Sequence, residues 1–270
     1  MQTKTILITG ATDGIGLETA RSLASSGHTL LLHGRNQGKL DDVVKSLSSI
    51  PGAGPIKCYV CDLSNMADVK AFANTVIENH EKLDVLINNA GVFKTPDPMT
   101  LDGLDVRFAV NTIAPYILAQ TLLPLLGPSG RIVNLSSAAQ SPVDPTALAG
   151  QGRLNDMSAY AQSKLAITMW SRSMALSLGD RGPAVIAVNP GSMLGSKMVK
   201  QAFGVDGSDL RIGADILCRA ALSDEFAEAS GLYFDNDSGR FASPHPDALN
   251  LEKSEKIVQA VEAVLCRILK

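Results

Sequence analysis

The chain has 270 residues, 45% of them hydrophobic, and a formal net charge of −3 with both signs scattered along it. That length accommodates one large α/β core, and no Pro/Gly/Ser-rich linker divides it, so a single domain over residues 1–270 is expected. The charge balance argues against nucleic acid as a partner, and the first residues, Met1-Gln2-Thr3-Lys4, lead straight into a short apolar strand rather than a signal-peptide core.

Strand-like and helix-like segments then alternate, which predicts an α/β fold with a parallel sheet covered on both faces. Residues 5–8 read as the first strand and 16–25 as a helix with Leu17, Ala20, Leu23 and Ala24 at helical spacing. Residues 29–32 read as the second strand, followed by a helix near 39–47, a turn cluster at 51–55 and a third strand ending at Cys61. A helix near 66–78 precedes a fourth strand at 83–87. A long helix is expected near 104–125; the longest lipophilic stretch, near 113–126, is interrupted by Pro115, Gln120 and Pro124 and reads as a buried helix rather than a membrane span. Strands at 131–135 and 184–188 flank a helix that carries Tyr160 and ends near Gly179; residues 231–234 read as a short seventh strand. Residues 235–247 are polar, with Pro244 and Pro246, and read as an ordered excursion or a loose crossing. Ile257, Val258, Val261, Val264, Leu265 and Ile268 then recur at helical spacing behind Asn250, a capping residue. That helix either packs on the body or closes a substrate pocket or subunit contact.

Between the first strand and first helix stands Thr9-Gly10-Ala11-Thr12-Asp13-Gly14-Ile15-Gly16. Glycines let the backbone turn sharply and approach a pyrophosphate, and the helix N-terminus adds unpaired amides and partial positive charge. The spacing departs from G-x-G-x-x-G, but the strand–turn–helix context is that of a dinucleotide site. The second strand ends in His33-Gly34-Arg35-Asn36, where an acid would mark NAD(H) and an arginine a 2′-phosphate, so NADP(H) is favoured. Asp13 is a counter-argument if it lies near that phosphate. Tyr160 and Lys164, four residues apart, share a helix face. A fixed ammonium favours the phenolate, so Lys164 is expected to lower the Tyr160 pKa and fit the phenol for acid–base work. Cys58 and Cys61 lie in one strand and point to opposite faces. With Cys218 and Cys266 they read as reduced structural thiols in a reducing cytoplasm. His28, His33, His80 and His245 show no ligand spacing, so no metal is expected.

With these motifs in order, residues 3–235 closely resemble the short-chain dehydrogenase/reductase family, a Rossmann-type doubly wound fold. Thr9-Gly10, Gly14 and Gly16 are similar to its coenzyme turn, and Asp62-Leu63 to its adenine contact. Asn88-Asn89-Ala90-Gly91 resembles the motif that steadies the sheet beside the coenzyme, and Pro190-Gly191 the turn beside the nicotinamide. The resemblance implies that Tyr160 exchanges a proton with a carbonyl or alcohol oxygen while NADP(H) exchanges hydride with the carbon. It implies that Lys164 holds the nicotinamide ribose and that Asn111 holds a water linking Lys164 to solvent. Ser137 would donate a hydrogen bond to the reacting oxygen; Ser136 is adjacent, and the sequence alone leaves the choice open, with the family pattern favouring Ser137. The coenzyme set so implied comprises Gly10, Thr12, Asp13, Gly14, Ile15, Gly16, Arg35, Asn36, Asp62, Leu63, Asn89, Ala90, Gly91, Tyr160, Lys164, Pro190, Gly191 and Ser192.

Two departures stand out. The stretch between Ser137 and Tyr160 is longer than the family's common pattern, with an added segment near 141–155 that resembles the retinol-dehydrogenase-like branch. After Pro190-Gly191 the usual threonine position holds Gly195, so the nicotinamide contact shifts or uses Ser192. Residues 192–205 are expected to cover a mostly apolar substrate through Met193, Leu194, Met198, Val199 and Phe203, joined by Val143, Leu148 and Phe93. The family pairs the helices near 104–125 and after Tyr160 across a two-fold axis, which implies a homodimer or homotetramer through residues such as Trp170, Met174 and Leu178; a monomer with docked terminal segments is the alternative. An NADP(H)-dependent oxidoreductase is the leading reading, ahead of a non-catalytic dinucleotide sensor and of a lyase or epimerase that retains its dinucleotide.

Overall fold

Alternate residues of the strands feed two separate apolar layers. Leu7, Leu31, Leu86 and Ile132 lie in one core cluster, while Ile6, Ile8, Leu30, Leu32, Ile87 and Val133 lie in the other. A sheet coated on both faces follows from that alternation. In the computed structural model, which describes residues 2–270 apart from the side chains of Ala202 and Phe203, it is one eight-stranded sheet in the order β3-β2-β1-β4-β5-β6-β7-β8. Strands β1 (Thr5–Ile8), β2 (Thr29–Gly34), β3 (Ile56–Val60), β4 (Leu83–Asn88), β5 (Leu126–Leu135), β6 (Ala184–Asn189) and β7 (Tyr233–Asp235) pair in parallel. Only β8 (Arg240–Ala242) runs antiparallel, as a hairpin with β7. The strand order reverses at β1 and β4, so their C-terminal ends open a crevice suited to a ligand. Thr9–Gly16 and Asn88–Gly91 meet there.

In chain order the helices are α1 (Gly14–Ser25), α2 (Gln37–Ser48), α3 (Met66–Asn79), α4 (Val106–Phe108), α5 (Ala114–Leu122), α6 (Pro145–Leu148), α7 (Asp156–Leu178), α8 (Lys197–Phe203), α9 (Leu210–Leu222), α10 (Pro246–Leu249) and α11 (Leu251–Ile268). Helix α1 starts at Gly14 rather than Gly16 because the Asp13 carboxylate accepts from the Gly14 amide at 2.9 Å. Helix α9 went unread in the sequence, although Asp209 caps it and Ile216, Leu217 and Ala220 are buried along one side. Between α4 and α5 the chain takes a π-helical turn, Ala109–Ile113, with Asn111 at its centre. The run Val106–Leu125 is long and apolar enough to cross a membrane, but most of it is buried inside the protein. Strand β5 begins at Leu126, earlier than expected, with a register shift opposite Leu83 and Val85. Residues 235–247 form an ordered excursion, the β7–β8 hairpin followed by α10.

Asn250 caps α11 by accepting from the Lys253 amide at 3.0 Å. The helix buries Ile257, Val261 and Val264 in the cluster that also holds Trp170 and Met174, and the Tyr116 hydroxyl of α5 donates to Glu262 at 2.8 Å. The face that the resemblance assigns to a two-fold contact is thus packed within the chain itself. The added segment 141–155 serves the same layer. It forms the short α6, capped by Asp144, buries Leu148, and receives Arg267 of α11 on the Ala149 carbonyl at 3.0 Å. Cys61 packs in one core and Cys58 against the other, and all four thiols are free.

Candidate active site

The glycine turn is built to close tolerances. Gly10 and Gly14 hold φ of +67° and +56°, the left-handed region that favours glycine. A Cβ at Gly16 would collide with the Gly10 carbonyl oxygen and the Asn89 amide, and one at Gly34 would stand 2.7 Å from the Thr12 methyl. Gly34 therefore makes room for the turn itself. Asn89 donates to the carbonyls of Thr9 and Gly10 at 2.8 and 3.2 Å, and the Ala90 amide donates to the Thr9 hydroxyl at 3.1 Å.

His33, given no role in the sequence reading, is a fastener of this turn. Its Nδ1 accepts from the Gly10 amide at 3.2 Å and its Nε2–H donates to the Cys61 carbonyl at 3.0 Å. Burial pulls its pKa from 6.5 down to about 4, so the ring is neutral. A histidine at the buried end of a strand beside a glycine turn was the available signal. Asp13 caps α1 and forms an ion pair with Lys197 of α8. Asn36 caps α2, accepting from the Lys39 amide at 3.0 Å, while Arg35 stands exposed at the end of β2. The exposed Asp62 accepts from the Ser64 amide at 3.0 Å. The Leu63 side chain is buried in the core.

Asn155 caps α7 through the Ser158 amide at 2.8 Å, and the helix presents Tyr160 to the end of β5. Ser136 is turned inward, its hydroxyl sharing a hydrogen bond of 2.6 Å with Thr168. Ser137 lines the same cavity as Tyr160, and its hydroxyl favours the Tyr160 phenolate. Lys164 is 4% exposed; its Nζ donates to the Leu135 carbonyl at 2.7 Å and lies 5.7 Å from the Tyr160 ring centre.

The expected lowering of the Tyr160 pKa is corrected by these surroundings. Burial raises the phenol above its ordinary 10, and the Ser137 hydroxyl only partly offsets this. Burial also draws Lys164 from 10.5 down to about 8. Both shifts disfavour charge through desolvation, and the ammonium is bonded to a carbonyl rather than to the phenol oxygen. The Asn111 Oδ1 accepts from the Val92 amide at 2.7 Å, and its Nδ2 donates to the Val92 carbonyl and to Ser163 at 2.9 Å each. The side chain clamps β4's loop to α7.

A cavity of about 210 Å³ opens over Tyr160 and Ser137, walled by Phe93, Met157, Met198 and Val199, with Pro190, Gly191, Ser192, Met193 and Leu194 on the other side. Phe93 meets the Tyr160 ring edge-on at 4.9 Å. Val143 and Leu148 do not line it; they pack in the α11 layer. The Phe203 side chain lies outside the described residues. Gly91 borders the site, since a Cβ there would lie 3.7 Å from both Lys164 Nζ and the Met198 methyl. Ser192 is engaged by a residue that no local spacing reveals: Asp237, in the β7–β8 turn, accepts from its amide and hydroxyl at 2.7 and 2.6 Å. A larger open depression of about 550 Å³ beside Asp206–Arg211 contains none of the expected site residues.

The sequence matches the short chain dehydrogenase family over residues 4–204. The chain belongs to that family. This short-chain dehydrogenase is similar to retinol dehydrogenase 13 of Homo sapiens, with 32% identity over 273 residues covering 94% of this chain and 82% of the relative. It is also similar to short-chain dehydrogenase TIC 32 A of Brassica napus, at 31% identity over 253 residues, 85% of this chain and 79% of the relative. Among solved structures, a short-chain dehydrogenase from Escherichia coli complexed with NADPH superposes with a TM-score of 0.69 at 30% identity, covering 87% of this chain and 97% of that one. One from Shigella flexneri complexed with NADP gives 0.68 at 29%, covering 87% and 98%. The chain is an oxidoreductase of this family.

Proposed function

We propose that this short-chain dehydrogenase is an NADP(H)-dependent carbonyl reductase for small to medium apolar ketones or aldehydes, reversible toward the alcohol. The observation that carries the reading is the meeting of Tyr160 and Ser137 on the floor of an apolar cavity beside the coenzyme turn. The cradle fits a dinucleotide: Gly10 and Gly14 hold left-handed backbone, and a Cβ at Gly14 would meet only Ser196, at 3.9 Å. The main chain of 10–16 and the N-terminus of α1 would hold the pyrophosphate, and Arg35 the 2′-phosphate. Asp62 with the Leu63 main chain would hold the adenine, and Asn89-Ala90-Gly91 with Lys164 the nicotinamide ribose. Structural neighbours complexed with NADP and NADPH support this choice.

The bound coenzyme supplies the hydride that the carbonyl carbon receives. Tyr160 gives its phenolic proton to the carbonyl oxygen, and the Ser137 hydroxyl donates to the same oxygen as negative charge develops there. Lys164 stabilises the phenolate left behind. Burial disfavours the phenolate, so Tyr160 rests in the protonated form that reduction consumes. The cavity's methionine and phenylalanine walls favour a lipophilic substrate, and the likeness to retinol dehydrogenases agrees with one. Its four free thiols fit a cytoplasmic setting. A homodimer or homotetramer would need a contact other than the Trp170 side of α7, which the chain covers itself.

The test is a panel of apolar aldehydes and ketones with NADPH, followed by loss of coenzyme absorbance. Tyr160→Phe should bind NADPH as the parent does while losing about 10²–10⁴-fold in turnover. Tight NADPH binding with no oxidation by any carbonyl would overturn the reading.

A further inference from the structure

Arg107 is a charged residue with 1% exposure, deeper than any other guanidinium in the described chain. Asp105 grips it with two hydrogen bonds, Nε to Oδ1 at 2.8 Å and Nη2 to Oδ2 at 2.6 Å. Its remaining Nη1 donates to Asp156 at 2.5 Å and to the Phe93 carbonyl at 3.4 Å. Burial opposes the cation, but the two carboxylates hold the Arg107 pKa above its ordinary value. Such clusters add little net stability over an apolar side chain of similar size. What a fixed, planar fork does supply is direction.

The direction here leads to the phenol. Asp156 opens α7, four residues before Tyr160, and Phe93 lays its ring against the Tyr160 ring at 4.9 Å. The neighbouring clamp repeats the arrangement. Asn111, on the same helical run, holds Val92 and reaches Ser163, three residues after Tyr160. Two side chains of one run therefore fix successive residues of the β4 loop, and they bracket Tyr160 on α7. Asn111 belongs to the family pattern; Arg107 has no part in any of the motifs that carry the resemblance.

We propose that Arg107 is a positioning residue for the Tyr160 proton transfer, locking the first turn of α7 and the Phe93 loop to one buried guanidinium. It touches neither substrate nor coenzyme. It acts through Asp156 and Phe93 to hold the phenol at a fixed height in the cavity, where a displacement of about 1 Å costs about a hundredfold in rate. The proposal rests on the reductase reading of the site.

Arg107→Met keeps the length and apolar stem without the fork. Folded Arg107→Met is expected to lose about ten- to a hundredfold in kcat while KM for NADPH stays within about twofold. Its Tyr160 titration, read as the phenolate absorbance difference between the variant and its Tyr160→Phe counterpart, is expected to shift from the parent's. Asp156→Ala cuts only the arm to α7 and leaves the Asp105 pair, so it serves if Arg107→Met does not fold; Asp156→Asn, which keeps an acceptor oxygen, should restore most of the kcat. An unchanged kcat and Tyr160 titration in either folded variant overturns the proposal. So does a loss of kcat matched by an equal loss of NADPH affinity. The titration requires no turnover, so a parent protein that reduces no carbonyl sinks the reductase reading while the titration still decides the role of Arg107.

Discussion

Replacing Lys164 with methionine should make the protein more stable and nearly inactive. The charged form of Lys164 is penalised by burial, which takes its pKa from 10.5 down to about 8. That depression corresponds to about 3 kcal/mol against the folded state wherever the lysine is charged in both states. Methionine removes the penalty but also the 2.7 Å bond to the Leu135 carbonyl, worth about 1 kcal/mol. A net gain of about 2 kcal/mol at pH 7 follows, or roughly 4–6 °C in Tm. The sign of the pH dependence is set by the depressed pKa. Below pH 8 the native lysine is charged and the full penalty applies. Between 8 and 10.5 the native state sheds its proton before the unfolded chain does, and the penalty fades. The advantage of the methionine variant should therefore be flat below pH 8 and gone by pH 10.5. Urea unfolding followed by the fluorescence of Trp170, the chain's one tryptophan and fully buried, measures both quantities. A variant no more stable than the parent at pH 7, or an advantage that persists undiminished at pH 10, would refute the claim that desolvation governs this lysine.

Neutral His33 makes the coenzyme turn acid-labile. Its folded pKa of about 4 lies below the unfolded 6.5, so stability present above pH 6.5 is lost as pH falls toward 4, by up to about 3 kcal/mol; His33→Gln should flatten that limb of a pH series of urea melts. Gly16→Ala drives a Cβ into the Gly10 carbonyl and Asn89 and should cost about 1–3 kcal/mol in stability and at least tenfold in NADPH affinity by fluorescence titration. Arg35→Ala should raise KM for NADPH by about tenfold or more and leave NADH nearly unaffected; equal effects on both coenzymes would remove its assigned role. Val261→Asp places an unpaired carboxylate in the α11 layer, where the valine is fully buried, and should lower stability by about 3–5 kcal/mol in the same urea assay.

The sheet, the glycine turn and the Tyr160–Lys164 pair were legible in the chain because each depends on short-range spacing. Strand alternation repeats every second residue, and a helix brings residues four apart onto one face whatever surrounds it. The helix at 210–222 obeys the same rule, with Ile216, Leu217 and Ala220 along one side behind the Asp209 cap.

Packing decided the rest. Whether a phenol beside an ammonium is acidified or made more basic depends on what each is bonded to and how much water reaches it, and neither is written in a four-residue interval. The capture of Ser192 by Asp237, forty-five residues on, the hold of His33 on Gly10, the covering of the Trp170 layer by α11, and the convergence of Asp105, Asp156 and Phe93 on Arg107 all join segments remote along the chain. Local sequence sets which faces are apolar and where the backbone can turn; only the closed structure determines which distant groups meet inside, and with what loss of solvent.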